Sequence, residues 1–487
     1  MHAPLAGALV FLASGSVLVL ETLAGRLMAP YVGVSLETFT GIIGVVLAGI
    51  ATGTWVGGRL ADRIDPRSLL PVALTLGGGT AIAAVPIIRT IGPGADASSP
   101  PTIVTLAGLA FFLPSALLSA VSPLTVKAQL RDIGHTGRVV GRVEALGTAG
   151  SLVGVFGTGF ILVAEFPTTP VVLVLGGLLA TTGIALWLAR PSLGRGAIVV
   201  AGTVLAVVAS GAAVLAGSPC DIETAYYCAD VEVDDARPSG RILWLDDLRH
   251  AYVDLDDPTH LEFNYTKLLG DVVDAMAPAG EPLAALHLGG GGFTLPRYLE
   301  ATRPGSTSLV LELDPGVVRI AEEELGLVTH DRLRVRTGDA RTHLRSIDTS
   351  SADLVIGDAF GGRAVPYHLA TREFVADIAR VLTEDGIYAQ NIIDRPPMRF
   401  LRADIATMRA VFEHVAALGP ARRFDATSGG NTIVIASNAP LPLTELGEQL
   451  AARGADDVVL TGDALDAFVA GAPVLTDDYA PVDQLLT

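Results

Sequence analysis

Leu286-His-Leu-Gly-Gly-Gly-Gly292 and Leu309-Val-Leu-Glu-Leu-Asp314 decide how the second half of this 487-residue chain folds. The first is an apolar run of strand length that ends in four glycines, and the second ends in acids. Glycine lets the backbone pass close to a ligand, and an acid at the end of the following strand can accept both hydroxyls of a ribose. Glu312 stands 23 residues after Gly289, and Gly338-Asp-Ala340 closes a third run, Leu333–Thr337. Three consecutive strand ends marked in this way predict a nucleoside crevice rather than three ordinary turns. No Gly-Lys-Ser/Thr follows the glycines, which excludes a triphosphate P-loop.

Outward from these motifs, apolar strands continue to alternate with helical stretches through 353–356, 387–392 and 432–437. That alternation predicts an α/β domain with a mostly parallel, doubly wound sheet. Within Asp353-Leu-Val-Ile-Gly-Asp-Ala-Phe-Gly361, Asp358 follows the strand. A carboxylate there points into the crevice where such folds bind ligands, so Asp358 is the general-base or amine-binding candidate, with a helix cap as the plainer role. Ahead of this domain, short runs at 226–232, 241–245 and 249–254, separated by Pro238-Ser-Gly240 and acidic turns, read as a small antiparallel sheet.

The first half is of another kind. Half of all residues are hydrophobic and 17% are charged, and the mean hydropathy of +0.50 excludes a single soluble domain. Residues 1–217 hold 11 Lys/Arg and 8 Asp/Glu, a balance of +3, whereas 218–487 hold 22 and 43, a balance of −21. A soluble part so acidic argues against a nucleic-acid partner, because phosphate backbones are bound through Lys and Arg.

A bilayer needs roughly 20 apolar helical residues per crossing. Seven stretches qualify: 3–28, 38–58, 69–91, 102–126, 143–164, 170–189 and 197–217. Loop cations set orientation during insertion. Nine, namely Arg59, Arg63, Arg67, Lys127, Arg131, Arg138, Arg142, Arg190 and Arg195, follow the even spans, against Arg26 and Arg89 on the other side. This bias predicts a multi-pass protein of the cell membrane whose C-terminal domain faces outward. The only two cysteines, Cys220 and Cys228, follow the last span. They read as a disulfide in an oxidising compartment or as two unrelated thiols. No second Cys or His pair sits at ligand spacing, so no metal is expected. Glu21, Arg26 and Glu37 lie in or beside spans, where they face a bundle interior, either as a path or as packing among small residues.

Taken in order, these residues resemble the spermidine synthase (polyamine aminopropyltransferase) family, and the whole chain resembles its membrane-fused branch. The segments that carry the resemblance are Leu243-Trp-Leu-Asp-Asp-Leu-Arg-His250, Leu261-Glu-Phe-Asn-Tyr265, the glycine loop, Leu311-Glu-Leu-Asp314, Gly338-Asp-Ala340, Gly357-Asp358 and Leu475-Thr-Asp-Asp-Tyr-Ala-Pro-Val-Asp-Gln484. The resemblance implies a seven-span membrane domain (1–217), a small β-sheet region (218–270) and a class I methyltransferase-like domain (271–487). It implies aminopropyl transfer from decarboxylated S-adenosylmethionine to an amine such as putrescine, with methylthioadenosine released and a homodimer as the assembly. Gly289, Gly290, Gly291, Glu312, Asp339 and Ala340 would hold the nucleoside. Tyr265 and Asp358 would line the amine site and act in catalysis.

Two acids of the soluble relatives are replaced, by Gly292 in the glycine loop and by Gly361 after Asp358. Asp477, Asp478 and Tyr479 either substitute for them at the amine site or form a C-terminal loop tied to the sheet. A methyltransferase using S-adenosylmethionine, and a polyamine- or nucleoside-binding carrier or sensor, are the other readings of this uneven site. The seven soluble-part histidines, His250, His260, His287, His330, His343, His368 and His414, show no paired spacing and are assigned to structure or surface.

Overall fold

The computed structural model describes residues 2–94, 99–130, 136–190, 195–361, 364–454 and 456–486. Arg131, one of the loop cations counted above, lies outside the described residues. The chain divides into two compact units, Met1–Ala229 and Asp230–Thr487.

In the first unit, seven helices among the described residues are long and apolar enough to cross a membrane: Ala3–Val32, Leu36–Arg63, Pro66–Gly94, Pro100–Gln129, Thr136–Glu165, Thr168–Leu188 and Gly196–Leu215. Five cover one of the apolar stretches entirely, and the sixth and seventh end one and two residues short of theirs. The first and fifth meet through small residues, and a Cβ added at Gly15 would lie 2.9 Å from the Gly150 carbonyl oxygen. The cations of the less charged side are partnered within the unit. Arg26 donates to Glu223 Oε1 at 3.0 Å, to Thr168 Oγ1 at 3.2 Å and to the carbonyls of Thr224 and Ala225. Arg89 donates to the Ala213 carbonyl at 2.8 Å and to Thr169 Oγ1 at 2.7 Å. Strand β1 (Ile222–Glu223) pairs antiparallel with the start of β2 (Cys228–Val233). A disulfide joins Cys220 to Cys228 across that hairpin.

In the second unit, β3 (Gly240–Leu245) and β4 (Leu248–Asp254) form an antiparallel hairpin with an irregularity at Leu243/Trp244. Eight further strands make one sheet. In chain order they are β5 (Ala284–Leu288), β6 (Thr307–Glu312), β7 (Leu333–Thr337), β8 (Ala352–Gly357), β9 (Leu382–Asp394), β10 (His414–Pro420), β11 (Gly430–Ser437) and β12 (Asp457–Leu460). Their order in space is β12-β10-β11-β9-β8-β5-β6-β7. The sheet is mixed: the parallel strands expected form its larger part, and an antiparallel part adjoins them. β5 to β9 are parallel, while the β9–β11, β11–β10 and β10–β12 pairs are antiparallel. Two of the strands responsible carry little sequence signal. β10 reads His-Val-Ala-Ala-Leu-Gly-Pro, and β12 is four residues long.

Both faces of the central strands are covered, so β5 and β8 are mostly apolar, whereas edge strand β7 reads Leu-Arg-Val-Arg-Thr. Leu286, Leu288, Val355 and Tyr388 enter one buried cluster, and Ala285, Leu354, Ile356 and Ile387 enter the other, with the period of two that a pleated strand imposes. Parallel pairing has a consequence for function. The carboxyl ends of β5, β6, β7 and β8 finish side by side, with Leu288 level with Leu311 and Gly357, and Glu312 level with Thr337.

Candidate active site

The first strand end is a loop that only glycine can build. Gly289 has φ +92° and Gly291 φ +50°, a region in which side chains are strained. A Cβ at Gly289 would collide with the carbonyl of Asp358, and one at Gly290 would lie 2.6 Å from the Phe293 ring. The loop runs into helix Thr294–Thr302 through Phe293, which is fully buried.

Glu312, at the end of β6, turns back toward this loop. Its Oε2 accepts from the amides of Gly290 at 2.7 Å and Gly291 at 3.3 Å, and its Oε1 accepts from that of Asp314 at 2.9 Å. Burial raises its pKa and the three N–H donors draw it partly back. An acid so held keeps its position relative to the loop. At the end of β7, Asp339 caps helix Ala340–Leu344. One oxygen accepts from both the amide and hydroxyl of Thr342 at 2.8 Å, and the other meets His368 Nε2 at 2.8 Å. Burial pushes the Asp339 pKa up, but these bonds outweigh it and hold it below the ordinary value.

Asp358 follows β8, and the cleft beside it is lined by Tyr265, His250, His287, the four loop glycines and Ile356, among others. Asn391 Nδ2 on β9 donates to Asp358 Oδ1 at 2.9 Å, and Asn391 Oδ1 in turn accepts from Asn431 Nδ2 at 3.0 Å. The Tyr265 hydroxyl bonds to Asp358 and lies 3.3 Å from the His250 carbonyl. Burial raises the Asp358 pKa to about 6, with Asn391 and Tyr265 pulling the other way. The enclosed space is about 20 Å³, room for about one water molecule.

No family model matches the chain. Among curated proteins, a polyamine aminopropyltransferase of Vibrio vulnificus is 32% identical over 134 residues, which cover 27% of this chain and 44% of that protein. Over part of its length, this chain is similar to proteins named polyamine aminopropyltransferase. It spans about half the length, or less, of the curated relatives it matches. An eEF1A lysine and N-terminal methyltransferase of Danio rerio is 25% identical over 171 residues, covering 33% of this chain and 24% of that protein. The crystal structure of a probable spermidine synthase from Corynebacterium glutamicum matches at 26% identity with a TM-score of 0.49, covering 53% of this chain and 95% of that one.

The two glycines that depart from the aminopropyltransferase pattern differ physically. A Cβ at Gly292 would lie 2.8 Å from both Ala251 Cβ and Val253 Cγ2, short branches of β4 with no room to yield. At Gly361 the nearest atom is 3.9 Å away. The C-terminal acids do not gather at Asp358. Asp477 takes a bidentate bond from Arg341 at 2.8 and 2.6 Å and a third from Thr371 at 2.8 Å. Asp478 and Tyr479 are exposed and are not among the residues lining the cleft. Tyr265, Asp358 and the loop glycines are brought together, with Glu312 against the loop, while Asp339 and Ala340 lie two strands away at the end of β7.

Two of the histidines assigned to structure or surface also line the cleft. His250 at β4 stands against the loop, 3.2 Å from where a Gly291 Cβ would be, and His287 on β5 lies 3.2 Å from Ser308 Oγ. Burial lowers their pKa values to about 4 and about 3, so both are neutral at physiological pH. Asn391 was also missed. Its signal is the Gln390-Asn391 pair, an amide couple inside an otherwise apolar run.

Proposed function

We propose that the second unit transfers an aminopropyl group from decarboxylated S-adenosylmethionine to an amine and releases methylthioadenosine. One observation carries the reading: a buried carboxylate, Asp358, raised to about 6 and held by Tyr265 and Asn391, stands directly against a glycine loop braced by Glu312. Glu312 would take the ribose hydroxyls. Asp339 and Ala340, at the end of β7, would flank the adenine. An ammonium has no lone pair, so the acceptor must lose a proton before attacking. The nitrogen pair then forms the new C–N bond, the C–S bond breaks, and its pair neutralises the sulfonium as methylthioadenosine leaves. Asp358, with a pKa near neutrality, is suited to receive the proton.

Full-length protein in detergent micelles, given decarboxylated S-adenosylmethionine labelled in the aminopropyl group and a set of amines, should yield labelled polyamine-type product. Gly292, which withholds an acid from the loop, also suits methyl transfer. Labelled product arising from methyl-labelled S-adenosylmethionine alone would select that second reading.

The proposal extends to the whole chain: residues 1–217 form a membrane domain, 218–270 a small β-sheet region and 271–487 the transferase domain, which faces outward. The loop-cation bias and the Cys220–Cys228 bond, which belongs to an oxidising compartment, support this orientation. A fluorescent reporter that matures only in the cytoplasm, fused after the last residue, should stay dark. A bright fusion would place the site on the cytoplasmic side.

A further inference from the structure

We infer that the acceptor taken by the Asp358 cleft carries one cationic group, a primary monoamine rather than a diamine. The inference rests on the transferase reading above and names its acceptor class. Transfer to a diamine brings three amino groups together: the donor's terminal group, the attacking group and the acceptor's far end. Among the described residues lining the cleft, Asp358 is the one carboxylate.

The acids at the neighbouring strand ends and in the C-terminal loop are assigned or bonded elsewhere, Glu312 being given to the ribose. Glu312 is turned onto the amides of Gly290, Gly291 and Asp314. Asp339 is held by Thr342 and His368, and Asp477 by Arg341 and Thr371. At position 292, where an acid would face the loop, Ala251 and Val253 occupy the space of any side chain. The remaining titratable walls of the cleft carry no negative charge, since burial keeps Tyr265 protonated and both histidines neutral. An acceptor's far-end ammonium, added to the donor's own, would lose its water in these walls without gaining a counter-charge, which is strongly unfavourable. An alkyl tail would instead meet Ile356, Leu295 and Ala251, for which burial is favourable.

The test compares n-butylamine with putrescine, equal in carbon chain and different by one ammonium, on the full-length protein in detergent micelles. Turnover is followed with decarboxylated S-adenosylmethionine, and binding by calorimetry with methylthioadenosine present. Butylamine should be the better acceptor and ligand by about tenfold, the scale of one unmet charged hydrogen bond. Putrescine equal to or better than butylamine in either measurement would overturn the inference, as would binding of neither amine. Preferential binding of butylamine without turnover of either amine would uphold the single-charge site and overturn the aminopropyl-transfer reading, so the two claims fail separately.

Discussion

Replacing Asp358 by asparagine is expected to lower kcat/KM for aminopropyl transfer by about 10²–10⁴-fold, the range that a positioned general base contributes. The substitution preserves shape, and the new amide oxygen can still accept from Asn391 as Oδ1 does at 2.9 Å. What it removes is the charge and the proton acceptor. In the wild type the rate should rise with pH through about 6, where the Asp358 carboxyl ionises in its buried setting, and the variant's residual activity should lack that step. Stability should move the other way. The folded pKa lies above the ordinary 3.8, so the carboxyl favours folding most when protonated, and that contribution is lost as pH rises through about 6. Above that pH the asparagine variant should melt no lower than the wild type. A variant that retains full activity would remove Asp358 from the chemistry, and one that fails to fold would contradict the stability argument.

The contrast between Asp358 and its partners shows what the sequence made legible. The glycine loop, Glu312 and Asp358 could be located because each sits just past an apolar strand, where a glycine or acid interrupts a short-range pattern. Seven apolar stretches were equally plain, since the length needed to cross a bilayer is written in consecutive residues, and seven helices of that length occur among the described residues. Asn391 entered the site through the pairing of β8 with β9, 33 positions from Asp358, and Asn431 through that of β9 with β11, across 40 positions of sequence. His250 has no local mark, and its place against the loop depends on how β4 packs. The bond between Arg341 and Asp477 spans 136 positions, so the fate of the C-terminal acids was settled by tertiary structure. The antiparallel side of the sheet was hidden for a simpler reason: β10 is built largely of small residues and β12 is short.

The second large effect concerns the nucleoside half. Glu312 is fixed by three backbone amides, so its carboxylate is already in place at the end of β6 and little ordering accompanies binding. Bonds from two ribose hydroxyls to a charged acceptor contribute about 1.5–3 kcal/mol each, and glutamine in its place keeps the shape but offers one neutral oxygen. Glu312→Gln should therefore weaken methylthioadenosine binding by about tenfold to a hundredfold. Asp358→Asn should leave that affinity nearly unchanged, because Asp358 is assigned to the amine.

Calorimetric titration of the full-length protein with methylthioadenosine, beside the Glu312→Gln variant, tests the central claim most directly, since a nucleoside crevice at these strand ends underlies every later step. Saturable binding by the wild type, at least about tenfold weaker in the variant, is the predicted result. Absence of binding by a folded wild type, or equal affinity in the two proteins, would contradict it.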